Sequence, residues 1–220
     1  MSIIFDLDDT LIDTSGVVTP YKMQLCVAHW LALGYQMGDA ATAYQVLMDC
    51  NHNAVSSRAA IEQCARDWNI APKDVEAALH LMTAPMPPHF VVLPTPGAFE
   101  VVRQLGADRP LALVTGGYPP FQREKMEKAG LDTTIFSMIA IPEDSQKGDA
   151  YKAFQKKIGV PSEQMWVCGD RITMDLWPAH QLGFRTVHMR WGRGLREPRV
   201  PWVTYEINEL RQFQQIIRNR

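Results

Sequence analysis

Five short apolar runs, at 3–5, 111–114, 135–141, 165–167 and 185–189, set the limits on what this chain can fold into. Each is rich in β-branched residues and nearly continuous rather than alternating, the pattern of a strand buried on both faces of a parallel sheet. Helical stretches lie between the later runs. Pro96-Gly97 opens 98–105 and Gly106 closes it; Pro119-Pro120 precedes 121–129, closed by Gly130; 150–158 ends at Gly159; and 207–218 is predicted as a last helix. Strand–helix–strand repetition implies right-handed crossovers and an α/β fold built on a doubly wound parallel sheet.

Between the first run and the second the texture changes. Residues 17–84 offer four amphipathic helices in succession and no strand. Met23, Cys26, Val27 and Trp30 share one helical face, as do Ala43, Val46, Leu47 and Cys50, then Ile61, Cys64, Ala65 and Trp68, then Val75, Ala78, Leu79 and Met82. These stripes predict a small helical bundle inserted after the first strand. The return leg, Pro85-Met86-Pro87-Pro88 through Pro94-Thr95-Pro96, is proline-rich and extended. The expected division is a core of 1–16 and 95–220 and a helical insert of 17–94, with hinges at 14–16 and 85–94. A length of 220 residues suits such a core with a smaller insert.

Composition narrows the function classes. Hydrophobic residues make up 46% and charged residues 21%, enough to bury a core and too apolar for a disordered chain. A formal net charge of −2 gives no global attraction to nucleic acid or an anionic membrane, and neither partner is expected. No apolar run approaches the roughly 18–20 residues that span a bilayer. Met1-Ser2-Ile3-Ile4-Phe5-Asp6 has no basic region and turns acidic at once, so no signal peptide is expected. Cys26, Cys50, Cys64 and Cys168 form no C-x-x-C pair and read as reduced, mostly buried thiols of a cytoplasmic protein.

The strongest chemical signal is Ile3-Ile4-Phe5-Asp6-Leu7-Asp8-Asp9-Thr10-Leu11. A buried strand ends and three carboxylates follow within four residues. Carboxylates this crowded repel one another unless a cation sits among them, and at the carboxyl end of a parallel strand they stand where open α/β sheets bind ligands. Asp9 alone reads as a helix cap in an acidic turn. A second strand, 111–114, ends in Thr115-Gly116-Gly117, whose hydroxyl and backbone N–H groups would cradle an anion. Lys147 follows in Gln146-Lys147-Gly148-Asp149, just before a predicted helix. The stretch Trp166-Val167-Cys168-Gly169-Asp170-Arg171-Ile172-Thr173-Met174-Asp175 again ends a strand in acid, with a second acid one turn on, hard oxygen donors of the kind magnesium prefers.

In this order, D-x-D-x-T, then T, then K, then G-D-x-x-x-x-D, the chain resembles the four motifs of the haloacid dehalogenase-like superfamily. The likeness covers the motifs and the alternating, Rossmann-like core, about two thirds of the chain, and the helical insert resembles that family's cap of the first type. Two positions depart from the common pattern: Met174 and Gly116 stand where asparagine is frequent, which touches hydrogen bonding around the site and no charged group. The resemblance implies Asp6 as a nucleophile that is transiently phosphorylated and Asp8 as general acid and base. It implies Thr115, Gly116 and Lys147 as phosphoryl ligands, and Mg²⁺ held among Asp6, Asp8, Asp170 and Asp175, with Asp175 acting directly or through water. An acid at Asp8 favours phosphate chemistry over dehalogenation, because dehalogenases of the superfamily lack it.

The expected activity is hydrolysis of a small phosphorylated metabolite, of sugar phosphate, nucleotide or phosphoglycolate type. A phosphomutase or a non-catalytic binding protein of the same fold are the alternatives, and the oligomeric state stays open. In the insert, Asp49-Cys50-Asn51-His52-Asn53 is the most polar junction between helices; with Arg58, its Asn51 and His52 are the candidate specificity residues of a lid. The arginine-rich stretch 185–199, with Trp191, is expected to be a solvated loop.

Overall fold

The computed structural model describes residues 1–144 and 146–219. The chain divides into two compact units, Gly16–Met86 and the remainder, in which Met1–Ser15 joins the chain from Pro87 onward. The proline-rich return leg belongs with the larger unit from Pro87. Lys128 Nζ donates to the Pro87 and Pro88 carbonyls at 2.8 and 2.9 Å, and Asp13 N–H donates to Leu93 O at 2.8 Å. The pairing of the two connections therefore falls at Ile12–Pro94, just ahead of 14–16.

The smaller unit is helical: α1 (Thr19–Ala32), α2 (Ala40–Asn53), α3 (Ser57–Asp67) and α4 (Pro72–Leu81). Pro20 and Pro72 sit in first turns, where a missing N–H costs nothing, while Asp39 and Ser56 cap α2 and α3 by accepting from Thr42 N–H and Ala59 N–H. One cluster gathers Met23, Cys26, Val27 and Trp30 with Ala43, Leu47, Ile61, Cys64, Ala65 and Ala78. Trp30 is wholly buried, and its indole N–H finds the Asp74 carbonyl at 3.0 Å, tying α1 to α4. Truncating it to alanine would cost about 3–5 kcal/mol. Val46 departs from the expected stripe at 45% exposure, because Ala43 and Leu47, four apart, already fill the contact of α2. The polar stretch 49–53 is the last turn of α2; the junction with α3 is Ala54–Ser56 instead.

The larger unit holds a six-stranded parallel sheet in the order β3-β2-β1-β4-β5-β6. The strands are β1 (Ser2–Phe5), β2 (Leu111–Val114), β3 (Met138–Ala140), β4 (Met165–Gly169), β5 (Arg185–Met189) and β6 (Tyr205–Ile207). The helices are α5 (Ala98–Gly106), α6 (Pro119–Lys128), α7 (Gly148–Ile158), α8 (Trp177–Gln181) and α9 (Leu210–Arg218), and they cover both faces. Alternation within the strands divides the side chains between those faces. Ile4, Ala112, Val114, Met165 and Val167 meet Tyr151 and Phe154 of α7 and Ala179 of α8. Phe5 and Trp166 turn the other way onto Phe213 of α9, with ring centroids 5.7 and 6.0 Å apart.

Three boundaries differ from expectation. The run 135–141 pairs only over β3, because Asp132 accepts from Thr134 N–H and draws Thr133–Ile135 into a 3₁₀ turn. β4 continues to Gly169, where it still pairs with β5. The last predicted helix begins only at Leu210, since Tyr205 and Ile207 pair with β5 as an edge strand, with Glu206 pointing outward. Among the described residues, no helix is long and apolar enough to cross a membrane.

Candidate functional site

The chain leaves β1 to build β2 and β3 on one side and returns to build β4, β5 and β6 on the other, so the strand order reverses between β1 and β4. That reversal opens a crevice beyond the strand ends, the place where such sheets bind ligands. Asp6 and Asp170 follow these two neighbouring strands directly. Asp6 N–H donates to Cys168 O at 2.9 Å, continuing the ladder by one residue and fixing the backbone that carries the carboxylate.

Asp6, Asp170 and Asp175 each bring a carboxylate oxygen within 4.8 Å of the others, and all three are buried. Lys147, at the start of α7, reaches between them: its ammonium lies 2.6 Å from Asp6 Oδ1 and 2.5 Å from Asp175 Oδ1. The second oxygen of Asp175 accepts from Arg171 N–H at 2.9 Å. Gly169 makes room for that carboxylate, because a Cβ there would stand 2.6 Å from both the Cβ and Oδ2 of Asp175. Asp170 enters no ion pair among the described residues. Its backbone carbonyl meets Nε2 of the buried His188 at 3.0 Å, and burial keeps that imidazole below its ordinary pKa, hence neutral with Nε2–H donating.

Electrostatics follow from three buried acids and one buried cation. Burial pushes Asp6 up to about 7, against the lowering charge of Lys147, with Asp175 and Asp8 adding to the rise. Asp170 is driven well above the carboxylate range by burial, then by Asp175, Asp9 and Asp6. Burial alone would depress Lys147, but Asp175 and Asp6 outweigh it and raise its pKa well above the ordinary value. The group is short of positive charge and rich in hard oxygen donors, which fits a divalent cation of the Mg²⁺ type.

Asp8 faces another set of partners. Its carboxylate takes Lys125 Nζ and Thr14 Oγ1 on Oδ1, and Gln122 Nε2 at 3.0 Å on Oδ2. Burial raises this acid, yet the Lys125 charge and the three donors outweigh it and hold Asp8 below its ordinary range. Asp8 therefore stands apart from the three-carboxylate cluster expected to include it. Asp9, at φ 54°, turns away to accept from Ser15 N–H at 2.7 Å, so it caps the turn that leads into α1. Gly192, with φ 48°, packs so closely there that a Cβ would strike the Asp9 carboxylate.

The anion cradle is narrower than the sequence reading. Thr115 N–H and Gly117 N–H are already given to the carbonyls of Ala140 and Pro142. What remains among the described residues is the Thr115 hydroxyl, held by Gln122 Nε2 at 2.9 Å, and Gly116 N–H. The stretch 185–199 is not a solvated loop. It contains β5 and a 3₁₀ turn, Gly192–Leu195, pinned by Trp191 Nε1 to Asp13 at 3.0 Å and by an Arg171–Glu197 ion pair at 2.7 Å.

A model of the haloacid dehalogenase-like hydrolases matches residues 1–183. The chain belongs to this family. Among its relatives is the glyceraldehyde 3-phosphate phosphatase of Pyrococcus abyssi, 25% identical over 242 residues, covering 99% of this chain and 93% of that protein. The protein of the same name from Pyrococcus furiosus is 26% identical over 230 residues, covering 98% and 92%. The fold is shared with a HAD-superfamily hydrolase of subfamily IA from Geobacter sulfurreducens, at a TM-score of 0.69, 15% identity and coverage of 98% and 95%. Magnesium-bound YfnB of Bacillus subtilis gives a TM-score of 0.66 at 19% identity, covering 98% and 97%. The chain is thus a hydrolase whose matching curated relatives are phosphatases.

Within this haloacid dehalogenase-like unit, Asp6, Lys147, Asp170 and Asp175 come together, and Asp8 and Thr115 are joined through Gln122. Asn51, His52 and Arg58 lie in the helical unit, where Asn51 accepts from Ser57 Oγ at 3.0 Å and Arg58 pairs with Glu62 at 3.1 Å. Gln122, Lys125, Thr14 and His188 are site residues that no sequence motif marked.

Proposed function

We propose that this hydrolase cleaves small phosphate monoesters by transferring the phosphoryl group to Asp6, with Mg²⁺ held by Asp6, Asp170 and Asp175. The observation that carries the reading is the buried triplet of carboxylates at the strand-order reversal, with Lys147 salt-bridged to Asp6 and Asp175. Mg²⁺ there would neutralise phosphoryl charge and keep Asp6 ionised. The rest is work for the chain's own groups. Lys147 holds Asp6 and Asp175 in place and offers positive charge to the incoming phosphoryl oxygens. The Thr115 hydroxyl and Gly116 N–H are the donors for those oxygens. Asp6 forms its bond to phosphorus as the ester oxygen departs in line.

Asp8 supplies the proton to the departing oxygen. Lys125 keeps it ionised in the resting protein, so a monoanionic ester carries that proton in. Asp8 then takes a proton from the water that cleaves the aspartyl phosphate, help typically worth about 10²–10⁴-fold. The named activity of the Pyrococcus relatives supports a short sugar phosphate as substrate. The helical unit is proposed to select among such esters through Asn51, His52 and Arg58. On that view His52→Ala and Arg58→Ala change the ratios of kcat/KM across a metabolite panel, and unchanged ratios in both would reject the choice of residues.

Turnover of a phosphorylated-metabolite panel, glyceraldehyde 3-phosphate included, tests the main reading. Chelation should abolish it, Mg²⁺ should restore it, and Asp6→Asn should be inactive while folded. Full activity in verified metal-free protein, or in Asp6→Asn, would overturn it.

A further inference from the structure

Gln122 and Lys125 lie one turn apart on α6, a helix that carries no recognised motif, and both side chains are buried. Both end on Asp8. Lys125 Nζ meets Asp8 Oδ1, and among the described residues Asp8 is the carboxylate it pairs with; its charge also lies 5.2 Å from the Phe121 ring centre. Gln122 Nε2 meets Asp8 Oδ2 at 3.0 Å, Thr115 Oγ1 at 2.9 Å and the Gly116 carbonyl. Because carboxylate and carbonyl oxygens can only accept, the amide nitrogen must be the atom facing them, which fixes the orientation of the Gln122 side chain. Thr14 Oγ1 supplies the third donor to Asp8.

Three donors from two segments leave the Asp8 carboxylate little freedom to rotate. The burial of the pair is lopsided: the Lys125 side chain is 4% exposed and that of Asp8 is 30% exposed. The cation is locked inside while the carboxylate keeps an edge open to water. A pair placed only for stability would gain nothing from that opening. A group that has to receive a proton from an attacking water requires it.

We propose that Lys125, with Gln122 beside it, is a positioning residue that aims the Asp8 carboxylate at the water which cleaves the aspartyl phosphate. This rests on the reading of Asp8 given above. In that step water oxygen bonds to phosphorus, the Asp6–phosphorus bond breaks, and the water proton passes to Asp8. Lys125 takes no proton; it holds the acceptor.

p-Nitrophenyl phosphate separates the two halves of the reaction, because its leaving group departs without an acid and only the second half then needs Asp8. In Lys125→Met, assayed with Mg²⁺, kcat should fall about 10-fold or more while kcat/KM changes less than about 3-fold, within the range that general-base help spans. Rapid mixing should show a burst of p-nitrophenolate approaching one per active site, absent from the parent. Gln122→Met removes one donor and loosens Thr115, so it should give the same burst with a smaller fall in kcat and a raised KM. It also serves as the test if Lys125→Met does not fold. Equal losses in kcat and kcat/KM without a burst, or parental kinetics, would overturn the proposal. Asp8→Asn distinguishes the two levels. A burst in Asp8→Asn but in neither helix variant removes the role of Lys125 and leaves that of Asp8; parental turnover in Asp8→Asn removes both.

Discussion

Replacing Lys147 by methionine keeps the side-chain volume and removes the buried cation that lies between Asp6 and Asp175. Both ion pairs are nearly dry, with side-chain exposures of 4% for the lysine and 6% and 1% for its partners. Removing one member of such a pair and stranding the other costs about 3–5 kcal/mol. Typical domains have about 5–15 kcal/mol in total, so the variant should fold and be measurable. The penalty should depend on pH, and its sign follows from the shifts. Asp6 already sits at about 7, well above the ordinary carboxylate range, and Lys147 is the group that lowers it, so its loss raises Asp6 further. A folded state that binds more protons than the unfolded one gains stability as pH falls through the folded value towards the unfolded one. In metal-free protein, urea unfolding should therefore show a deficit of about 3–5 kcal/mol at pH 8. At pH 5 it should be smaller, because Asp6 there holds a proton and no longer needs the charge of the lysine. An equal deficit at both pH values, or less than about 1 kcal/mol at pH 8, would refute the electrostatic reasoning.

Gly169→Ala should cost about 1–3 kcal/mol, because β4 is hydrogen-bonded on both sides and cannot shift to relieve a Cβ placed against Asp175. Thermal unfolding checks the cost, and a neutral result would show that Asp175 can move aside. Metal-free parent protein should lose stability as pH rises from about 4 through about 7, since the raised pKa of Asp6 means that its proton must leave in the folded state. Saturating Mg²⁺, at about 100 times its dissociation constant, should add about 2.7 kcal/mol, and it should bind more tightly at pH 8 than at pH 6. Tighter binding at the lower pH would contradict the assignment of Asp6 as a ligand.

The fold and the charged centre were legible because each relied on local pattern. β1, β2 and β4 contain continuous apolar runs, and Asp6, Asp170 and Asp175 stand at or one turn beyond strand ends. β6 was missed because Tyr205-Glu206-Ile207 is too short for alternation to register, and its pairing is supplied by β5. Gln122 and Lys125 were missed for a related reason. An i, i+3 pair of polar residues on a helix looks like any solvated face, and only the packing of α6 brings them to Asp8, 114 and 117 positions away. His188 lies within an apolar strand and acts through the backbone of Asp170, a contact that no spacing rule records. Arg190 was misjudged because its acceptors, the Leu195 and Glu197 carbonyls, become available only once the 3₁₀ turn has formed.

The central claim is that phosphoryl transfer passes through Asp6. Borohydride trapping during turnover tests it most directly, since it reduces an acyl phosphate to an alcohol at the residue that carried it. Peptide mass spectrometry after borohydride is added to a reaction containing Mg²⁺ and excess substrate should find homoserine at position 6, dependent on substrate and absent from Asp6→Asn. Reduction at another carboxylate, or none in protein that is turning over, would contradict the account.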